Sequence, residues 1–66
     1  MTRLRELRQA RGMMIIDLAF ATRLHPSQLS SIERGRLAAS KRARETLCAF
    51  FGIAESEVFD RRGLAV

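Results

Sequence analysis

Four residues that start or stop helices, Gly12, Pro26, Gly35 and Gly52, cut this 66-residue chain into pieces too short to be stable alone. Glycine ends a helix readily because it accepts the left-handed position just past the last turn. Proline suits the first helical position, where its missing N–H would have no partner. Leu4 and Leu7, with Arg8 and Arg11 at helical spacing, predict an amphipathic helix over 2–11 ended by Gly12. A second helix covers about 15–22, with Leu18 and Ala19 facing in. The third starts at Pro26, capped by His25, and ends at Gly35 with Leu29 and Ile32 as its buried stripe. After a loop over 36–40, a fourth helix runs from about 41 to 51 on Ala43, Leu47, Phe50 and Phe51, and Gly52 stops it. A short fifth helix near 55–60 carries Val58 and Phe59, with Glu55 and Glu57 suited to its positive end.

Helices shorter than about 12–15 residues are marginal in water, so these five must share one core. Leu4, Leu7, Leu18, Ala19, Leu24, Leu29, Ile32, Leu47, Phe51, Ile53 and Phe59 supply it. The expected fold is all-α, a five-helix bundle forming one domain over 1–60, with 61–66 as a short tail. A chain of this size buries only about 60 % of its unfolded surface, so its stability is modest.

Charge is unevenly placed. Residues 1–44 hold ten cations against three carboxylates, a net +7, whereas residues 45–66 hold two against four, a net −2. This asymmetry suits a polyanion on the basic side, or else a scatter of solvated arginines. The single cysteine, Cys48, excludes an intrachain disulfide and reads as a small buried hydrophobe. The longest apolar run, 13–24, is interrupted by Asp17 and Arg23, too short for a bilayer span and not placed as a signal peptide, so a cytoplasmic, nucleoid-associated location is expected. No phosphate loop, paired carboxylates or nucleophile–base set is present, and the lone His25 has no acid or thiol near it. The reading is a non-enzyme with no catalytic residue, no metal and no cofactor.

The segment from Gly12 to Gly35 carries the functional signal. Two helices crossing at about 90–120° need a small residue where they touch, and Ala19 opposite Leu29 provides it. With Leu29 and Ile32 inward, the outer face of the third helix holds Pro26, Ser27, Gln28, Ser30, Ser31 and Arg34. Short hydroxyls and an amide let a helix backbone approach base edges while offering them donors and acceptors. Ser27, Gln28 and Ser31 are therefore the candidate base readers.

The segments L-x-x-L-R-x-x-x-G (Leu4–Gly12), D-L-A (Asp17–Ala19), P-S-x-L-S-x-I-E-x-G-R (Pro26–Arg36) and L-C-x-F-F-G-I (Leu47–Ile53) resemble the Cro/C1-type helix-turn-helix family, also called the xenobiotic-response-element family. The resemblance spans residues 4–59 and implies a bundle of the phage-repressor type, with its helix-turn-helix at helices 2 and 3. It implies that Ser27, Gln28 and Ser31 face bases, and that Arg34 and Arg36, with Arg11 or Lys41 and Arg42, hold phosphates. It also implies that Arg8 and Glu33 form a structural ion pair, since an acid aimed at DNA would oppose binding.

Three departures from that family stand out. Position 23, usually glycine in a left-handed turn, is Arg23, which predicts about 1–2 kcal/mol of strain or a shifted turn. The usual capping Ser or Thr at 14 and Gln at 15 are Met14 and Ile15, which removes a cap and a polar contact. Met14, Ile15, Ile16 and Phe20 cannot all face inward with Leu18 and Ala19. Either this helix is rotated or buried more deeply, or Met14, Ile15 and Phe20 mark an interface.

These observations predict a sequence-specific, double-stranded DNA-binding transcriptional regulator, with helix 26–34 in the major groove and a homodimer on a palindromic site. The alternative is a module that binds a protein partner, of polymerase or antitoxin type, through the apolar face of helix 2. No membrane association is expected.

Overall fold

The computed structural model describes residues 1–66. Its helices begin where a side chain can satisfy orphan N–H groups and end where a residue can turn left-handed. Helix α1 spans Arg3–Ala10, capped by Thr2, whose hydroxyl accepts from the Arg5 N–H at 3.3 Å. It stops in a Schellman turn, with Gly12 N–H donating to Gln9 O and Met13 N–H to Arg8 O. Helix α2 spans Ile15–Thr22 and α3 spans Pro26–Glu33. Helix α4 spans Lys41–Phe51, capped by Ser40 accepting from Ala43 N–H, and ends at left-handed Gly52.

The fifth helix is not an α-helix. Four α-helices are followed by one 3-10 turn at Glu55–Glu57. Val58 and Phe59 turn inward immediately afterwards, and both are buried. Burying those two side chains and pairing the chain with its own end replaces a longer helix.

The core is one cluster in which Leu4, Leu18, Leu29, Leu47 and Val58 lose all exposure. Leu7, Leu24 and Ile53 only pack against its edge. Residues 61–66, read above as a tail, are woven into the fold. Phe59 and Ala65 form an antiparallel bridge, Ala39 N–H donates to Gly63 O at 2.9 Å, and Arg3 N–H donates to Val66 O at 2.7 Å. Asp60 organises this return, its carboxylate accepting from the N–H groups of Arg62 at 2.8 Å and Leu64 at 3.0 Å. Those bonds hold its carboxyl below the usual range, the one from Leu64 contributing most. Gly35 is fixed by this tail: it is left-handed at φ +76°, and a Cβ there would lie 2.9 Å from Ala65 O.

No helix is long and apolar enough to cross a membrane.

Candidate nucleic-acid interface

Successive residues of an α-helix are rotated by about 100°, and this rotation sorts α3 into three stripes. Leu29 is wholly buried, Glu33 nearly so, and both face the core, while Ile32 completes the buried side at 5 % exposure. Ser27 and Ser31, one turn apart, lie diametrically opposite Leu29; Ser27 is exposed and Ser31 half-buried. Ser30 and Arg34 flank that stripe on one side, and Gln28 flanks it on the other. The small polar face is therefore the outermost ridge of the helix.

The start of α3 is stiffened locally. The Nδ1 of His25 accepts from the Ser27 N–H at 3.3 Å and lies 2.9 Å from the Ser27 hydroxyl. The amide hydrogen points at Nδ1, which acts as the cap of the helix, and the neighbouring hydroxyl is held close to the same nitrogen. Pro26 at the first helical position leaves no N–H there to satisfy.

Cations line both sides of the ridge. On the Ser30–Arg34 side, a hollow is bounded by Arg5, Arg8, Ile15, Ser30, Glu33 and Arg34. An adjoining hollow brings Arg36 beside Arg5 and Arg34. On the Gln28 side, Gln28 and Ile32 share a depression with Leu24, Leu37, Ser40 and Ala43, which connects α3 to the start of α4. Lys41 and Arg42, both exposed, occupy that first turn of α4. Arg34, Arg36, Lys41 and Arg42 form no ion pair within the fold, whereas Arg3, Arg5, Arg8, Arg44 and Arg62 all lie within 4.0 Å of a carboxylate.

Glu33 is neutralised internally. Arg8 grips it with two hydrogen bonds, Nε to Oε2 at 2.8 Å and Nη2 to Oε1 at 2.9 Å. Arg5 approaches to 4.0 Å, and the Thr2 hydroxyl donates to the Glu33 carbonyl. Arg8 also donates to the Met13 carbonyl at 2.6 Å, so one guanidinium ties α1, the α1–α2 turn and the end of α3 together. The hydrogen bonds to Glu33 push the Arg8 pKa up, so this side chain stays charged at every accessible pH.

Arg11 is not brought to α3. Its guanidinium donates to Phe50 O at 3.3 Å and lies 5.0 and 4.9 Å from the ring centres of Phe50 and Phe51. Cation–π attraction and the negative end of α4 hold it against the opposite end of the bundle.

On α2, Met14, Ile16 and Phe20 are 68 %, 55 % and 88 % exposed. Ile15 is not part of that patch. It lies three residues before Leu18 and four before Ala19, hence on the buried face, and packs against the core. Ile16 takes its place, one turn before Phe20, and the two share an apolar hollow with Ala19, Leu24 and Pro26. Met14 supplies no side-chain cap, but the Asp17 carboxylate accepts from its N–H at 2.8 Å, so one orphan donor is satisfied. Arg23 adopts the left-handed conformation, φ 58° and ψ 33°, so the turn is unshifted and its residue strained. Cys48 is buried, and burial pushes its thiol up, away from the reactive thiolate.

Sequence reasoning missed the contribution of Arg5, whose position beside Arg34 depends on how α1 lies across α3. It also left Arg23 as a turn residue only.

A sequence model of a family described as "Helix-turn-helix domain" matches residues 2–58. The chain is 38 % identical over 58 residues to the HTH-type transcriptional regulator DdrOP3 of Deinococcus deserti, which covers 88 % of this chain and 45 % of that protein. The chain thus spans less than half the length of this curated relative. No solved structure matches it. With helices α2 and α3 joined through a left-handed turn and the family match covering nearly its whole length, the chain belongs to the helix-turn-helix domain family.

Proposed function

We propose that this chain is a sequence-specific DNA-binding regulator of the Cro/C1 type, inserting α3 into the major groove of a duplex. The observation that carries the proposal is the ridge of Ser27 and Ser31 opposite Leu29, with unpaired cations to either side. Ser27, Gln28 and Ser31 read base edges. Arg34 and Arg36 on one side, and Lys41 and Arg42 on the other, hold phosphates and so fix register without carrying sequence information. The Ser27 hydroxyl, held beside His25 at the start of α3, can both donate to and accept from a base edge. The role is binding, not catalysis. The name of the Deinococcus relative, a transcriptional regulator, supports the same reading.

A recognition helix of eight residues presents only a few base contacts, and the protein is 27 Å along its longest axis. Useful specificity then needs a homodimer on a two-fold site, with half-sites about 34–36 Å apart. Binding to a random duplex across a salt series tests the proposal. Neutralising five or six phosphates gives a log K against log salt slope near −5. Arg34→Ala with Arg36→Ala should flatten it and weaken all sequences alike, whereas Gln28→Ala or Ser31→Ala should change sequence preference. A wild-type slope near zero would discard the proposal.

A second reading, a module that docks a protein through α2, is favoured by one observation: Phe20 stands almost fully exposed one turn from exposed Ile16, and the two share an apolar hollow. A contiguous apolar patch of this kind on a small domain marks an interaction surface, either the dimer contact or a foreign partner.

A further inference from the structure

Five residues in this chain have positive φ, and four of them are glycine: Gly12, Gly35, Gly52 and Gly63. The fifth is Arg23. A side chain in this conformation is strained by the contact of Cβ with the following carbonyl, and glycine avoids that strain. The backbone gains a capping bond at the end of α2, Leu24 N–H donating to Ala19 O at 3.1 Å, but the Arg23 side chain gains nothing within the fold. Arg23 is exposed, forms no ion pair, and its side chain takes part in no hydrogen bond, whereas Arg8, Arg11, Arg44 and Arg62 all have partners.

The surroundings of Arg23 indicate what it is held out toward. It lines one groove with Ala21, Thr22, Leu24, Arg42 and Thr46. No carboxylate is among them. The Thr22 hydroxyl is buried and donates to Leu18 O at 2.6 Å, so it is occupied. The groove therefore offers two unpaired guanidinium groups and the Thr46 hydroxyl. Arg42 lies in the first turn of α4, an 11-residue helix whose N-terminal dipole adds to the positive field. Leu24 also borders the depression that contains Gln28, so this groove adjoins the base-reading ridge on the side away from Arg34 and Arg36.

We infer that Arg23 and Arg42 form a second phosphate clamp, which grips the DNA backbone on the Gln28 side of α3 while Arg34 and Arg36 hold the opposite side. The inference rests on the duplex-binding reading above and adds a residue and a strand to it. Two guanidinium groups lining one groove can each offer a phosphate oxygen bidentate hydrogen bonds that lysine cannot reproduce in geometry, though it keeps the charge. The left-handed turn leaves the Arg23 side chain exposed on the surface beside Arg42.

The test exploits the conformation itself. Arg23→Gly keeps the turn, relieves the strain and removes the cation, so the variant folds and its thermal midpoint rises. Its binding to a 20-base-pair duplex is compared with that of wild type, Arg23→Lys and Arg42→Gln across a salt series. The expected result is a log–log slope shallower by about 0.9 for Arg23→Gly and for Arg42→Gln, with affinity lowered equally on all sequences. Arg23→Lys should retain the wild-type slope at reduced affinity. If Arg23→Gly binds with wild-type slope and affinity while Arg34→Ala with Arg36→Ala flattens the slope, the clamp is overturned and the duplex reading stands. If the wild type shows no salt-dependent duplex binding, both fall.

Discussion

Replacing Arg8 with alanine leaves the Glu33 carboxylate, in a residue only 4 % exposed, without its bidentate partner. Removing one member of a buried ion pair costs about 3–5 kcal/mol, because the remaining charge stays desolvated. Arg5, 4.0 Å away and about half exposed, offsets up to about 1 kcal/mol of that. The lost hydrogen bond to Met13 O returns about the same amount to the deficit. The net loss is about 3–5 kcal/mol, against a total stability of about 3–10 kcal/mol for a domain of this size. Arg8→Ala should therefore be largely unfolded or close to it, read by urea titration of the helical circular-dichroism signal. Arg8→Met combined with Glu33→Leu removes both charges and should recover most of the loss, since an apolar pair of similar volume is often as stable. A loss below about 1 kcal/mol for Arg8→Ala, or no recovery in the double variant, would mean that the pair is not a buried, desolvated one.

Gly35→Ala should destabilise by about 2 kcal/mol or more, because the left-handed backbone and the 2.9 Å approach of Ala65 O both oppose a Cβ; chemical denaturation measures it. Asp60 has its carboxyl pKa lowered in the fold, so its stabilising effect is present above the unfolded value and disappears as pH falls through the lower folded one. Wild type should lose stability more steeply than Asp60→Asn in a thermal-melt series taken downward from about pH 4. Phe20→Ser with Ile16→Ser should lower the molar mass seen by light scattering if α2 is the contact between copies; an unchanged mass removes that surface as the dimer interface.

The helix limits were legible because they are set locally. Gly12, Pro26, Gly35 and Gly52 mark chain positions whose backbone preferences act without tertiary help. The stripe of α3 was legible for the same reason: Leu29 and Ile32 fix which side is inward, and the serines follow. Glu55–Val58 misled because a helical composition there yields to the burial of Val58 and Phe59 and to pairing with Ala65, which sequence spacing does not encode. The role of 61–66 was hidden likewise, since its bonds reach back to Arg3 and Ala39. The setting of Arg11 was hidden because its two aromatic partners lie 39 and 40 positions away. Ile15 and Ile16 are chemically alike, and only the rotation of α2 decides which of them is solvent-facing.

Whether α3 is the element that meets DNA can be read from backbone amide shifts recorded by NMR while a 20-base-pair duplex is titrated in. The largest changes are expected at Ser27, Gln28 and Ser31, with secondary changes at Arg34 and at Lys41 and Arg42. Shifts confined to Met14, Ile16 and Phe20, with α3 unmoved, would show that α3 is not that element.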